Sequence, residues 1–145
     1  MIQKLNNHDH ITLNLFGGEK EIEVFSVDSK YWDNETGALG EEELACLNWL
    51  IEHVNLADYK GEILAWCNRE YEYIGGDPIT EADLEEEVDI FAIAINLSKI
   101  PQLPDGTVFP EIGFYGWCEY MSDKGICIGF RDKKYIGIRY QDWIL

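Results

Sequence analysis

The chain predicts an α+β fold: a two-layer sandwich in which an antiparallel sheet carries helices on one face and ends in a three-stranded meander. Three observations lead there. Strand-like runs stand at both ends, the stretches with helical spacing gather between them, and the last third alternates short apolar runs with turn residues. A chain of 145 residues suits one domain built on one core. With 46% hydrophobic and 13% aromatic residues there is enough apolar matter for that core, so a net charge of −17 does not imply disorder.

The first two strands are expected at residues 11–16 and 21–27, turned by Gly17-Gly18, a dipeptide that supplies positive φ. In the second, Ile22 and Val24 fall on one side and Glu21, Glu23 and Phe25 on the other. A polar loop follows. Residues 41–54 form the clearest helix, because Leu44, Leu47, Ile51 and Val54 share one face. Glu41, Glu42 and Glu43 fall in its first turn, at the positive end of the helix dipole. A second helix over residues 56–71 buries Tyr59, Ile63, Trp66 and Cys67.

Gly75-Gly76-Asp77-Pro78 then breaks the chain. Thr80 reads as the N-cap of a short helix over 81–87, with Asp83 at its third position and Ile79 and Leu84 placed as a hydrophobic staple. From Val88 the pattern turns to β, with Phe91, Ile93, Ile95 and Leu97 alternating with smaller residues. Pro101, Pro104 and Pro110 mark a long connection. The meander comprises residues 112–120, 125–130 and 135–140, with turns at Ser122-Asp123-Lys124 and Asp132-Lys133-Lys134.

Catalytic and metal-binding patterns are sparse. Cys46, Cys67, Cys118 and Cys127 form no C-x-x-C pair, so they read as free thiols. A hairpin centred between Ser122 and Asp123 would set Cys118 opposite Cys127. His8-Asp9-His10 is expected in a frayed, exposed terminus rather than in a metal site. His53, late in a helix, suits the dipole. The carboxylate-rich loop from Asp28 to Glu43 misses the EF-hand spacing, since Gly37 stands at its fifth position and Leu44 where the bidentate glutamate belongs. No G-x-S-x-G, G-x-G-x-x-G or Walker pattern occurs. No cofactor is expected. Of the tryptophans, Trp143 in the C-terminal tail is either partly exposed or docked on the sheet.

The charge is the strongest signal. Residues 70–98 hold nine acidic residues and no lysine or arginine. Residues 1–98 hold 22 acids against 5 bases, whereas residues 99–145 hold 6 of each, so the imbalance is regional. Glu81/Glu85, Asp83/Glu87 and Glu85/Asp89 stand four residues apart, where like charges cost a few tenths of a kcal/mol on a helix. Such a field repels nucleic acid and anionic membranes and attracts basic proteins. The expected partner-binding set is therefore Glu81, Asp83, Glu85, Glu86, Glu87 and Asp89, facing a basic protein. The plain alternative is a solvated face that aids solubility. No apolar stretch reaches the roughly 20 residues of a membrane span, and MIQKLNNHDH lacks a secretion signal, so a cytoplasmic protein is expected.

The segments P-E-I-G-F-Y-G-W-C-E-Y, K-G-I-C-I-G-F-R-D-K-K-Y-I-G-I and Q-D in the last 35 residues resemble the C-terminal meander of a bacterial family catalogued as a domain of unknown function. The resemblance implies a two-layer α/β sandwich. Related small acidic domains are similar to immunity proteins, which neutralise toxins, and this implies a non-enzymatic module that meets a basic toxin. Trp117-Cys118-Glu119-Tyr120 departs from the more acidic turn expected there, and no catalytic residue carries over. Two rival readings stand beside it: a divalent-cation-dependent enzyme using carboxylates, and a structural or regulatory subunit assembling through a sheet edge. Partner identity and oligomeric state stay open.

Overall fold

The computed structural model describes residues 1–16, 18–119 and 123–145. The expected turns at Gly17-Gly18 and Ser122-Asp123-Lys124, and the strand end at Tyr120, fall in part on Gly17, Tyr120 and Ser122, which lie outside the described residues. Among the described residues six strands form one sheet: β1 (His10–Leu15), β2 (Gly18–Ser26), β3 (Val88–Ile95), β4 (Ile112–Cys118), β5 (Ile126–Arg131) and β6 (Lys134–Arg139), in that spatial order. Helices α1 (Glu41–His53), α2 (Lys60–Tyr73) and the single turn α3 (Leu84–Glu87) lie between β2 and β3. The α+β class, the sheet and the C-terminal meander agree with the sequence reading.

One pairing departs from it. β2 and β3 run parallel, matching Val24 with Ile93, and all other neighbours are antiparallel. Parallel neighbours need a long crossover, and the segment with all three helices supplies it. The crossover lays the helices on one face. Ile22, Val24, Ile90, Ile93, Ile95, Phe114, Ile128 and Phe130 meet Leu47, Leu50, Ile63, Trp66 and Tyr71 in a single core. Ring contacts stitch the layers: Trp49 and Tyr59 both meet Phe130, at 6.0 and 5.7 Å, and Trp66 meets Tyr140 at 5.8 Å.

A smaller cluster covers part of the opposite face, where Trp143 and Ile144 pack on Ala94 and Cys127. The tail is docked, not exposed: Trp143 keeps 6% of its surface and donates its indole N–H to the Val108 carbonyl at 2.9 Å. Asp132 and Lys133 both take positive φ, 51° and 60°, in a two-residue turn that matches the twist of β5 and β6.

Two expectations are corrected. Tyr115, three residues before Cys118, stands opposite Cys127. An odd shift moves a side chain to the other face, so Cys127 joins the Trp143 cluster while Cys118 enters the helix-side core. Cys67 lies in the same core, and all four cysteines are free. The N-terminus is also not frayed. Ile2 makes two hydrogen bonds with Asn48 (both 2.8 Å), the Leu39 amide donates to the Leu5 carbonyl, and the His8 amide donates to the Val24 carbonyl. Backbone groups of Ile2, Leu5, Asn7 and His8 thus find partners that local sequence does not reveal.

Candidate functional site

The acidic segment is held rigidly from both sides. α2 ends at Tyr73 with Ile74 as its cap, and Gly75, at a φ of 82°, turns the chain away, with the Gly76 amide on the Tyr71 carbonyl at 2.7 Å. Asn68 then clamps the outgoing chain: its side chain donates to the Ile79 carbonyl (3.0 Å) and accepts from the Ile79 amide (2.8 Å). The Thr80 amide donates to Asp83 Oδ2 at 2.8 Å, the reach-back half of the expected capping box, and the Thr80 hydroxyl donates to the same oxygen at 2.9 Å. Leu84 is fully buried and Ile79 packs on the same core, so this one-turn helix is anchored through its apolar side.

That anchoring separates the six predicted residues by task. Glu81, Glu85 and Glu86 are exposed. Asp83 serves the cap, and its hydrogen bonds from Thr80, backbone first and side chain second, hold its carboxyl below the usual range. Asp89 is paired with Lys20 of β2. Glu87 is half-buried, and its Oε2 has no hydrogen-bond partner among the described residues. Burial first, and then the charges of Glu119, Asp83 and Glu86, push its carboxyl above the ordinary value.

Glu119 is the residue that sequence reasoning missed. β4 pairs with β3, matching Val88 with Cys118 and Asp89 with Trp117, and the ladder continues one step further. The Glu119 amide donates to the Glu87 carbonyl at 2.8 Å. An exposed carboxylate far away in sequence thereby joins the ridge. Only the β3–β4 register could have signalled this. Among the described residues, ion pairs to Lys or Arg involve Asp89, Glu43 and Glu111 only, so Glu81, Glu85, Glu86, Glu87 and Glu119 keep their charge uncompensated. Among the described residues, no ion pair joins a base of residues 99–145 to the ridge.

The other sequence candidates are used inside the fold. Asp28 accepts from the Lys30 amide at 2.9 Å, capping a short turn. Glu43 is buried and accepts from Lys30 Nζ (2.5 Å), the Tyr31 hydroxyl (2.8 Å) and the Gly40 amide (2.9 Å). Both ends of the carboxylate-rich loop are therefore structural. His8 contacts Glu23 at 3.0 Å, and His53 stacks on Trp49 at 5.8 Å.

A groove of about 860 Å³ lies away from the ridge, over Cys46, Trp49, Phe130 and Arg131. Its thiol is half-buried. Burial, and then the charge of Glu111, push Cys46 up to about 12. Its guanidinium is committed too, to the Phe109 carbonyl at 2.5 Å and to Glu111 at 4.0 Å.

Among the described residues no helix is long and apolar enough to cross a membrane. No family model, no curated protein and no solved structure matches the chain.

Proposed function

We propose that this chain is a non-enzymatic binding module whose acidic ridge, Glu81, Glu85, Glu86 and Glu87 with Glu119, receives a basic protein. The observation that carries this reading is the Glu87–Glu119 juxtaposition. Among the described residues, a carboxylate with a buried, unpartnered oxygen stands beside a second carboxylate, and neither is ion-paired to a lysine or arginine. Such an arrangement costs stability in the free protein, and a cationic partner relieves it. A face needed only for solubility has no reason to gather charge where burial penalises it.

The meander's resemblance to the bacterial domain family narrows the partner to a toxin neutralised by an immunity-type protein in the cytoplasm. Charge complementarity then speeds association and selects the partner. The test uses the protein encoded beside this one on the chromosome. A complex is expected, and Glu85→Lys, Glu86→Lys and Glu87→Lys together slow its association by about tenfold or more at low salt. That difference shrinks as salt screens the ridge. Absence of a complex, or an unchanged association rate, rejects the reading.

A further inference from the structure

The tail that docks on the outer sheet face covers only part of it. From Phe25 and Tyr115, which pack against the tail's cluster, a row of rings runs out along this face to Trp117. His8 stacks on Phe25 (6.2 Å), Phe25 meets Tyr115 edge-on (5.3 Å), Tyr115 meets Phe91 edge-on (5.8 Å), and Phe91 meets Trp117 at 5.7 Å. A local irregularity makes the row possible. The β3–β4 register slips between Ile90 and Ala92, and the extra residue, Phe91, reaches the rings of the outer face. Trp117 is 41% exposed and His8 is exposed, while Phe25, Phe91 and Tyr115 are half-buried. Glu21 and Glu23 rim the row on β2, Glu23 in contact with His8; Asp89, opposite Trp117 and paired with Lys20, and the exposed Glu119 rim it at the other end, where it meets the ridge.

Elsewhere this chain puts its own cations over its rings. Arg139 lies over Trp143 at 5.4 Å, Lys99 over Phe109 at 4.5 Å and Lys124 over Tyr140 at 5.0 Å. Among the described residues, no lysine or arginine lies over Phe25, Phe91, Tyr115 or Trp117. π-faces rimmed by carboxylates suit a planar guanidinium, which stacks and pairs bidentately, better than a compact, strongly hydrated ammonium. We infer that the aromatic row of the outer sheet face docks an arginine-bearing segment of a basic protein, whose guanidinium groups lie over Trp117 and Phe91 and pair with the acidic rim. This rests on the basic-partner reading and adds its chemistry: arginine rather than lysine.

The probes are oligoarginine and oligolysine peptides of equal length, titrated calorimetrically into the whole chain. The arginine peptide is expected to bind about five- to tenfold more tightly. Trp117→Ala, and separately Phe91→Leu, which keeps the apolar volume, bring that ratio close to one while leaving oligolysine affinity unchanged. Equal affinities in the parent chain, or a preference that survives both substitutions, overturn the inference. The ridge is read separately through Glu85→Lys with Glu86→Lys and Glu87→Lys, which must weaken both peptides. Should it weaken neither while the ring variants still erase the arginine preference, the ridge reading fails and the ring assignment stands. Binding of neither peptide overturns both.

Discussion

The Glu119 amide donates to the Glu87 carbonyl across 2.8 Å, so a strand pairing holds two carboxylates together that lie far apart in sequence. This contact is made by backbone, and the side-chain repulsion comes with it. Its consequences are electrostatic and measurable.

Glu87 weakens the fold at neutral pH. Its carboxyl is raised by burial and then by Glu119, Asp83 and Glu86. A raised folded-state value means that the charged form is disfavoured on folding. The cost is therefore present above the raised value and vanishes below the ordinary carboxylate value of about 4.3. Glu87→Gln removes the charge and supplies an amide that can donate to Glu119. It is expected to raise stability at about pH 7 by roughly 0.3–0.5 kcal/mol, near 1 °C in melting temperature. The gain disappears below about pH 4. Thermal melts at the two pH values check this, and an equal gain at both contradicts it.

Glu43 behaves in the opposite sense. Burial raises its carboxyl, but hydrogen bonds from Lys30, Ser26, Gly40 and Tyr31 outweigh that and hold it below the ordinary value. Its contribution is present above about pH 4.3 and is lost as pH falls through the lowered folded value. Glu43→Ala strands the Gly40 amide, leaves the Tyr31 hydroxyl only the Ala38 carbonyl at 3.2 Å, and is expected to cost about 2 kcal/mol by urea denaturation at neutral pH. A loss under about 0.5 kcal/mol would show that water replaces the carboxylate.

The loop ends and the ridge also show how far the sequence could be read. Apolar spacing and turn residues revealed the helices and strands, because these are local signals: Leu47, Ile63 and Trp66 are buried as their helical faces require. The Thr80–Asp83 cap was equally legible, since its partners are three residues apart. What stayed hidden was long-range. The parallel β2–β3 pair, the slip at Phe91, the Tyr115–Cys127 register and the ordering of residues 2–8 depend on partners that only the folded chain brings near. For the same reason the acidic ridge was visible in composition, whereas Glu119 and the ring row were not.

The thiols are expected to be inert in the folded protein. Contact with Cys67, then burial, raises Cys118, burial alone raises Cys127, and Cys46 stands near 12. Iodoacetamide at neutral pH should leave all four cysteines unmodified over a time in which the urea-unfolded chain is fully labelled. Mass spectrometry reads the count, and rapid native labelling of Cys118 would contradict the helix-side placement.

Gly116 guards the strand pairing beneath the ridge. A Cβ there would sit 2.1 Å from the Asp89 carbonyl oxygen and 2.8 Å from Ile90 Cα. Backbone atoms cannot yield as a flexible side chain does, so Gly116→Ala is expected to cost about 3 kcal/mol or more. Denaturant midpoints measure this, and a variant within about 1 kcal/mol of the parent refutes the close approach.

The most direct test of the ridge is an amide-shift map by NMR during titration with oligolysine at low salt. The account predicts that the largest shifts fall on residues 81–89 and on Glu119, and fade together as salt is added. Shifts spread evenly over the exposed acids, including Glu35, Glu41 and Glu52, would contradict it.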